Sequence, residues 1–421
     1  MIDGHRIVVI GGGPAGMMAA GRAAEKGCEV ILLEKMHRLG SKLAITGKGR
    51  CNLTNMGGID SFIEHYGKNG NFLRNCFARF FNQDLIDFFE TRGVRTVLER
   101  GQRVFPRSGN AEDIVECLAA FLRKNEVEIR MEFTVDAILT DVNRINGVRG
   151  SGVDISCDAV IIATGGRSYP MTGSTGDGYR FAMDLGHRVR KPEPALVPIE
   201  VEEDFIRKMQ GLSLKNVEVS AYARGRRFTT LFGEMLFTHF GVSGPIILTM
   251  SRQIVQEIQK HKVTLSINFK PALTDEQLER RLLREFDHHG KMKCRSVMKH
   301  LLPVTTIDIF LTRAGIPADR HVSEINREER QRILHYLRDF RLTVKGPRPI
   351  SEAIITDGGV ALDEIDPYTM QSRLVSGLFF CGEVIDVAGD TGGYNLQAAF
   401  STGHLAGESA CSMCRASSTR K

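Results

Sequence analysis

Gly11, Gly13 and Gly16 stand in Gly-x-Gly-x-x-Gly order within Gly11-Gly12-Gly13-Pro14-Ala15-Gly16. Each glycine has its own task in holding a dinucleotide. Gly11 permits a tight turn, Gly13 lets the main chain approach a pyrophosphate, and Gly16 allows close helix-strand contact. Pro14 and Ala15 open a helix whose unpaired N-terminal N–H groups and positive dipole end favour phosphate. Such a loop works only if a strand delivers it and a helix leaves it. The flanks meet that demand: Arg6 to Ile10 reads as a buried strand, Pro14 to Lys26 as a helix ended by Gly27, and Glu29 to Glu34 as a second strand, together a βαβ unit. Glu34 ends that strand, with Lys35 beside it, where a carboxylate accepts from adenosine ribose hydroxyls. An acid there disfavours the 2′-phosphate of NADP.

NAD and FAD share this fingerprint, so other segments must choose between them. Asp158 to Gly166 is an apolar strand ending in Ala163-Thr164-Gly165, and it resembles the second FAD signature of glutathione-reductase-like and fumarate-reductase-like flavoproteins. Leu378-Phe379-Phe380-Cys381-Gly382-Glu383 resembles the third, in which an acid after glycine bonds the ribityl chain. Here that acid is Glu383 rather than the usual Asp. Gly392-Gly393-Tyr394-Asn395-Leu396-Gln397 opens a final helix, whose N-terminal dipole suits negative charge at the flavin N1/O2 edge. Three signatures in this order point to FAD.

The chain also resembles the bacterial BaiN-like NAD(P)/FAD-dependent oxidoreductases, sometimes called aminoacetone oxidase-like, over nearly its whole length. The segments that carry the resemblance are Thr46 to Asn55, Ser168-Tyr169-Pro170 with Gly173 to Tyr179, Gly233 to Pro245, and Thr356 to Val360 leading into Gly392 to Gln397. The resemblance implies an FAD domain interrupted by a small β-barrel and a helical bundle, and no shared substrate, because activities run from bile-acid ring reduction to amine oxidation. Family members often carry Trp shortly after the Leu-Gln pair; this chain has Ala398-Ala399-Phe400 and no Trp anywhere. The loop Thr46 to Asn55 is expected to touch FAD through Thr46, Gly49, Arg50, Cys51 and Asn52, with Lys42 just upstream. Cys51 reads either as a redox thiol or as small packing.

For proton transfer and substrate anchoring, the chain offers His239, Tyr169 and Arg103. Histidine is the side-chain type suited to proton transfer near neutral pH, and His239 sits beside a Gly-Val-Ser-Gly-Pro turn, so it is either an acid-base group facing the domain crevice or a histidine satisfied by local backbone. Arg103 suits a substrate carboxylate, or a protein acid. Cys411 and Cys414 form a C-x-x-C pair, but at a C-terminus expected to fray and without a second ligand pair. His288 and His289 with Cys294 lack metal-ligand spacing, and no metal site is expected.

These motifs must be held by a larger frame. The boundaries follow composition: 1–190 as the first part of the FAD domain, 191–271 as an inserted β-barrel rich in alternating strands, and 272–340 as a helical subdomain opened by a Thr274/Gln277 capping box. The range 341–350 serves as the barrel's return strand and 351–421 as the second part of the FAD domain. The fold class is α/β, a three-layer Rossmann-like FAD-binding domain with barrel and helical insertions. With 421 residues, 42% hydrophobic and 25% charged, no signal pattern and no long apolar run, a soluble cytoplasmic protein is expected, and nine scattered cysteines suit reduced thiols. The 56 basic and 50 acidic residues are interleaved, so no stable nucleic-acid partner is expected. The function expected is hydride transfer between flavin N5 and a small organic substrate. Reduction of an activated C=C bond with NADH or NADPH as transient donor comes first; amine or alcohol oxidation by oxygen, or flavin-dependent RNA binding or modification, are the alternatives.

Overall fold

The computed structural model describes residues 5–418. The chain divides into two compact units, Met1–Glu193 with Ile350–Lys421, and Pro194–Pro349.

The first unit is built on five parallel strands. β1 (Arg6–Ile10) lies at the centre, followed in the chain by helix α1 (Pro14–Glu25) and β2 (Glu29–Leu33). Spatially the order is Leu378–Phe380, Ala159–Ile162, β1, β2, Glu128–Arg130, all parallel. A strand covered on both faces needs apolar residues without alternation, and Ile7 to Ile10 and Ala159 to Ile162 are all buried. A three-stranded antiparallel sheet, Val135–Asp141, Arg144–Gly150 and Val153–Ser156, adds a further layer. On the helical side, α1 meets the C-terminal helix Tyr394–Ser418 with main chains nearly touching. A Cβ at Gly403 would lie 2.3 Å from the Ala15 carbonyl oxygen, and one at Gly407 2.4 Å from that of Ala19. Small residues are therefore required along this seam.

The second unit closes six strands into a barrel, in the order Ile199–Val201, Gly241–Ser243, Arg226–Phe237, Ser213–Ala223, Val263–Asn268, Phe340–Pro347. Its core is continuous with that of helices Asp275–His288, Val304–Ala314 and Arg327–Arg338. The expected capping box is present: Thr274 Oγ1 accepts from Gln277 N at 3.3 Å, and Gln277 Oε1 from Thr274 N at 2.9 Å. The helical pattern read through Phe340 stops at Arg338, because Phe340 already pairs with Ile267 in the barrel. The C-terminus also differs from expectation. The final helix continues through Ser418, and Cys411 and Cys414 are buried rather than frayed. No helix among the described residues is long and apolar enough to cross a membrane.

Candidate active site

The glycine turn has the shape its sequence demands. Gly11 has φ +107°, and a Cβ there would lie 2.5 Å from the Ala163 carbonyl oxygen, so the turn is pressed against the end of the neighbouring strand. At Gly16 a Cβ would fall 1.9 Å from the Gly11 oxygen. Gly13 differs: a Cβ there meets nothing within 4 Å, and as N-cap of α1 it supplies no side-chain cap to the first-turn amides. An open cradle over uncapped helix amides fits a pyrophosphate. Glu34 stands beside it, its Oε2 accepting from Gly12 N at 2.6 Å and Oε1 from Met36 N at 2.8 Å. The acid thus fixes the turn it is expected to share with a ribose. Lys35 Nζ turns away to Asp177 Oδ2 at 2.6 Å and to Thr175.

A second cluster joins residues from four parts of the chain. Lys42 Nζ, on helix α2 (Ser41–Gly49), lies 2.7 Å from Glu383 Oε2 and 2.6 Å from Ser168 Oγ. Glu383 Oε1 accepts from Thr356 N at 2.8 Å and Ser168 Oγ at 3.0 Å. Ser168 and Thr356 are fully buried and were absent from the sequence-derived site residues, although both lie in the segments that carry the family resemblance. Close by, Thr164 Oγ1 is buried without a hydrogen-bond partner, a polar group that a ligand would satisfy.

The segment expected to be a loop is partly helical. Its helix breaks at Thr46, and Gly47, Lys48 and Cys51 take φ values of +58°, +60° and +56°. For Lys48 and Cys51 this backbone costs on the order of 1 kcal/mol each, and such strain concentrates at ligand clamps. Cys51 is fully buried and burial pushes its thiol up to about 12, which favours small packing over a redox thiolate. Arg50 is committed to Glu99 and lies 4.4 Å over the Phe105 ring. Gly49 has open space beside its Cα.

The end of this segment packs on the start of the C-terminal helix. A Cβ at Gly393 would strike the Thr54 main chain at 2.5 Å. With its amide oriented to satisfy both ends, Asn52 accepts from Gly393 N at 3.0 Å and donates to Thr54 O at 3.2 Å. Asn55 Nδ2 donates to Gly392 O at 3.3 Å, and the buried Gln397 Oε1 accepts from Thr54 Oγ1 at 2.6 Å. Asn395 closes its own turn on Gly389, and Leu396 is half-buried against the core. Tyr394 stacks on His65 at 3.9 Å, and burial beside Asp390 pushes its phenol up to about 12. What this corner offers a ligand is therefore chiefly first-turn N–H groups, with the polar side chains bracing them.

The acid-base candidates are less concentrated. Tyr169 is half-buried in a left-handed conformation, φ +51°, next to Ser168. Arg103 is exposed and donates to the Arg100 carbonyl at 3.0 Å rather than to an acid. His239 belongs to the barrel unit, where it is exposed, stacks edge-on against Phe240 at 4.9 Å, and lines a groove of about 800 Å³ with Glu200, Glu203, Arg207 and Arg348. The structure adds a carboxyl not found from sequence. Asp386 is buried, faces Arg190 at 3.3 Å, and burial raises its pKa. Only its place three residues beyond Glu383 hinted at it.

Known proteins resemble this chain in sequence and in fold. The model of the HI0933-like protein Rossmann domain matches residues 5–409. A 3-dehydro-bile acid delta(4,6)-reductase of Clostridium scindens is 31% identical over 409 residues, covering 96% of this chain and 99% of its own. A ribosomal RNA dihydrouridine synthase of Escherichia coli is 30% identical over 398 residues, covering 94% and 95%. Among solved structures, 3-ketosteroid delta1-dehydrogenase from Sterolibacterium denitrificans superposes with TM-score 0.54 at 13% identity, over 97% of this chain and 100% of that one, a likeness of fold. The chain belongs to the HI0933-like Rossmann-domain family of BaiN-like flavoproteins and is an FAD-dependent oxidoreductase.

Proposed function

We propose that this protein saturates a carbon–carbon double bond conjugated to a carbonyl group, with NADH or NADPH as electron donor. The observation that carries this reading is the chemical agreement of two relatives aligned over 96% and 94% of the chain. One is named for reducing the Δ4 and Δ6 bonds of a 3-keto steroid acid. The other is named for making dihydrouridine, which is uridine with the ring double bond beside its carbonyl saturated. FAD, when bound, supplies two-electron transfer at its ring system. The chain binds and orients: Gly13 and the α1 amides hold the pyrophosphate, Glu34 the ribose, and Lys42 with Glu383 the ribityl side. Saturation also requires a proton on the carbon next to the carbonyl, and His239 or Tyr169 is proposed to deliver it, with Arg103 as an anchor for an anionic substrate. No second Gly-x-Gly-x-x-Gly occurs, so the nicotinamide nucleotide visits transiently.

Anaerobic mixing with NADH and NADPH, followed by a 3-keto-4,6-diene steroid, tests the reading. Flavin bleaching by a nicotinamide and recolouring by the dienone is expected. Bleaching by amines with no response to any enone would replace it with an amine oxidase.

A second reading, in which the reducible base lies in ribosomal RNA, is favoured by charge. Of the 56 Lys and Arg and 50 Asp and Glu in the chain, 26 and 18 lie within Pro194–Pro349, so that unit is +8 and the rest −2. Steeply salt-dependent RNA binding and new dihydrouridine in the bound RNA would support it. Salt-insensitive turnover of free enones alone would sink it.

A further inference from the structure

His288 and His289 with Cys294 lack metal-ligand spacing in the sequence, and Cys294 is buried in the core of the second unit. The fold brings a different set together. Glu285 and His289 lie one turn apart at the end of helix Asp275–His288, and the short turn Met298–His300 brings His300 against them. Glu285 Oε2 is 2.7 Å from His300 Nδ1 and 3.9 Å from His289 Nε2, the two rings are 4.9 Å apart, and one ligand atom from each residue lies within 4.8 Å of the others.

From this geometry we propose that Glu285, His289 and His300 form a binding site for a single borderline divalent transition-metal ion, of which Zn²⁺ is the representative. Around a tetrahedral ion with bonds of about 2.1 Å, ligand atoms stand roughly 3.4 Å apart. The 2.7 and 3.9 Å separations bracket that value, so closure takes only small side-chain rotations. Two imidazoles and one carboxylate suit Zn²⁺, Co²⁺ or Ni²⁺, and are too poor in oxygen for Ca²⁺ or Mg²⁺. The side chains retain 18%, 33% and 42% exposure, which leaves an entry path and room for water as fourth ligand. Helix position adds to the attraction: the site lies at the C-terminal end of a 14-residue helix, where the dipole favours a cation. Arg281 opposes it from one turn back on the same face. Its guanidinium is held on the His300 carbonyl at 3.3 Å, which tempers the affinity. The bound ion would staple the Met298–His300 turn to the helix, a structural role independent of the flavin.

The test uses the purified, FAD-loaded full chain. Co²⁺ should bind at one equivalent with visible ligand-field bands that Zn²⁺ abolishes, and Zn²⁺ should raise the unfolding temperature. His289→Ala and His300→Ala should each weaken Co²⁺ binding by about tenfold or more, while His288→Ala binds like wild type. Glu285→Gln, which keeps a hydrogen-bonding group beside His300, guards against a variant that fails to fold; it should retain flavin and lose Co²⁺ affinity. Absence of saturable one-equivalent binding in the wild type, or Co²⁺ affinity unchanged in His300→Ala, overturns the site.

Discussion

Lys42 Nζ lies 2.7 Å from Glu383 Oε2, across 341 residues of sequence, and both side chains are about one-fifth exposed. A pair so sheltered is held by more than Coulomb attraction, because Ser168 bonds both partners and the Thr356 amide fixes the second carboxylate oxygen. Removing one partner leaves the other sheltered charge without its counter-ion, with only neutral hydrogen-bonding groups beside it. Lys42→Met and Glu383→Gln are each expected to weaken FAD binding about tenfold or more. The double variant should recover part of the loss, with a coupling of about 1–3 kcal/mol. FAD titrations of the four proteins measure it, and strictly additive losses would mean that the two residues act separately.

The glycine turn separates cofactor binding from folding. Because a Cβ at Gly13 meets no protein atom within 4 Å, Gly13→Val should fold yet lose its flavin colour. Gly16→Ala should destabilise the fold itself, since its Cβ would fall 1.9 Å from the Gly11 oxygen. Glu34→Ala should cost about 1–3 kcal/mol of FAD affinity, the usual loss for a charge-assisted hydrogen bond. Gly13→Val protein that stays yellow would move the pyrophosphate elsewhere.

Much of this frame was legible in the sequence because it is local. The strand-turn-helix-strand run around Gly11 to Glu34, the Thr274 capping box and the apolar strand Ala159 to Ile162 each carry their instructions within a few residues. Contacts between distant segments carry no such signal. Nothing in the neighbourhood of Lys42 announces Glu383, nor does anything near Thr54 announce Gln397, and the C-x-x-C motif read as a frayed tail because sequence does not show which face of the last helix packs on α1. Site residues that brace others, such as Ser168 and Thr356, were missed for the same reason.

Acid should destabilise the protein through His404. Its ring stacks on Phe80 at 4.5 Å, its Nδ1 is buried without a hydrogen-bond partner, and burial lowers its pKa to about 4, with Glu408 pulling the other way. The folded value lies below the ordinary 6.5, so the fold holds the neutral ring. This contribution is full above about pH 6.5 and is lost as pH falls toward 4. His187, whose pKa burial also lowers against the pull of Glu364, acts in the same direction. Between pH 7.5 and pH 5 the His404 share is about 2 kcal/mol. Urea unfolding of wild type and His404→Phe at both pH values isolates it. Equal losses in the two proteins would acquit this residue.

His239 offers the sharpest test of where the proton comes from. It is exposed, its ring packs edge-on against its neighbour Phe240, and the turn that carries it is held by others. Thr238 N donates to Gly241 O at 2.8 Å, and Gly241 N to Thr238 Oγ1 at 3.1 Å. His239→Ala therefore removes no buried bond, and the unfolding midpoint should move by no more than about 0.5 kcal/mol. FAD content should not change either, because every residue proposed to hold the cofactor lies in the other unit. If the imidazole protonates the substrate carbon, the reoxidation rate of reduced enzyme by an enone should fall by about 10²–10⁴-fold, while reduction by NADH or NADPH keeps its rate. The two half-reactions, measured separately in stopped flow, distinguish this from a defect in donor binding, which would slow the first. An unchanged reoxidation rate assigns the proton to Tyr169 or to the buried Asp386, and Tyr169→Phe and Asp386→Asn in the same assay decide between them.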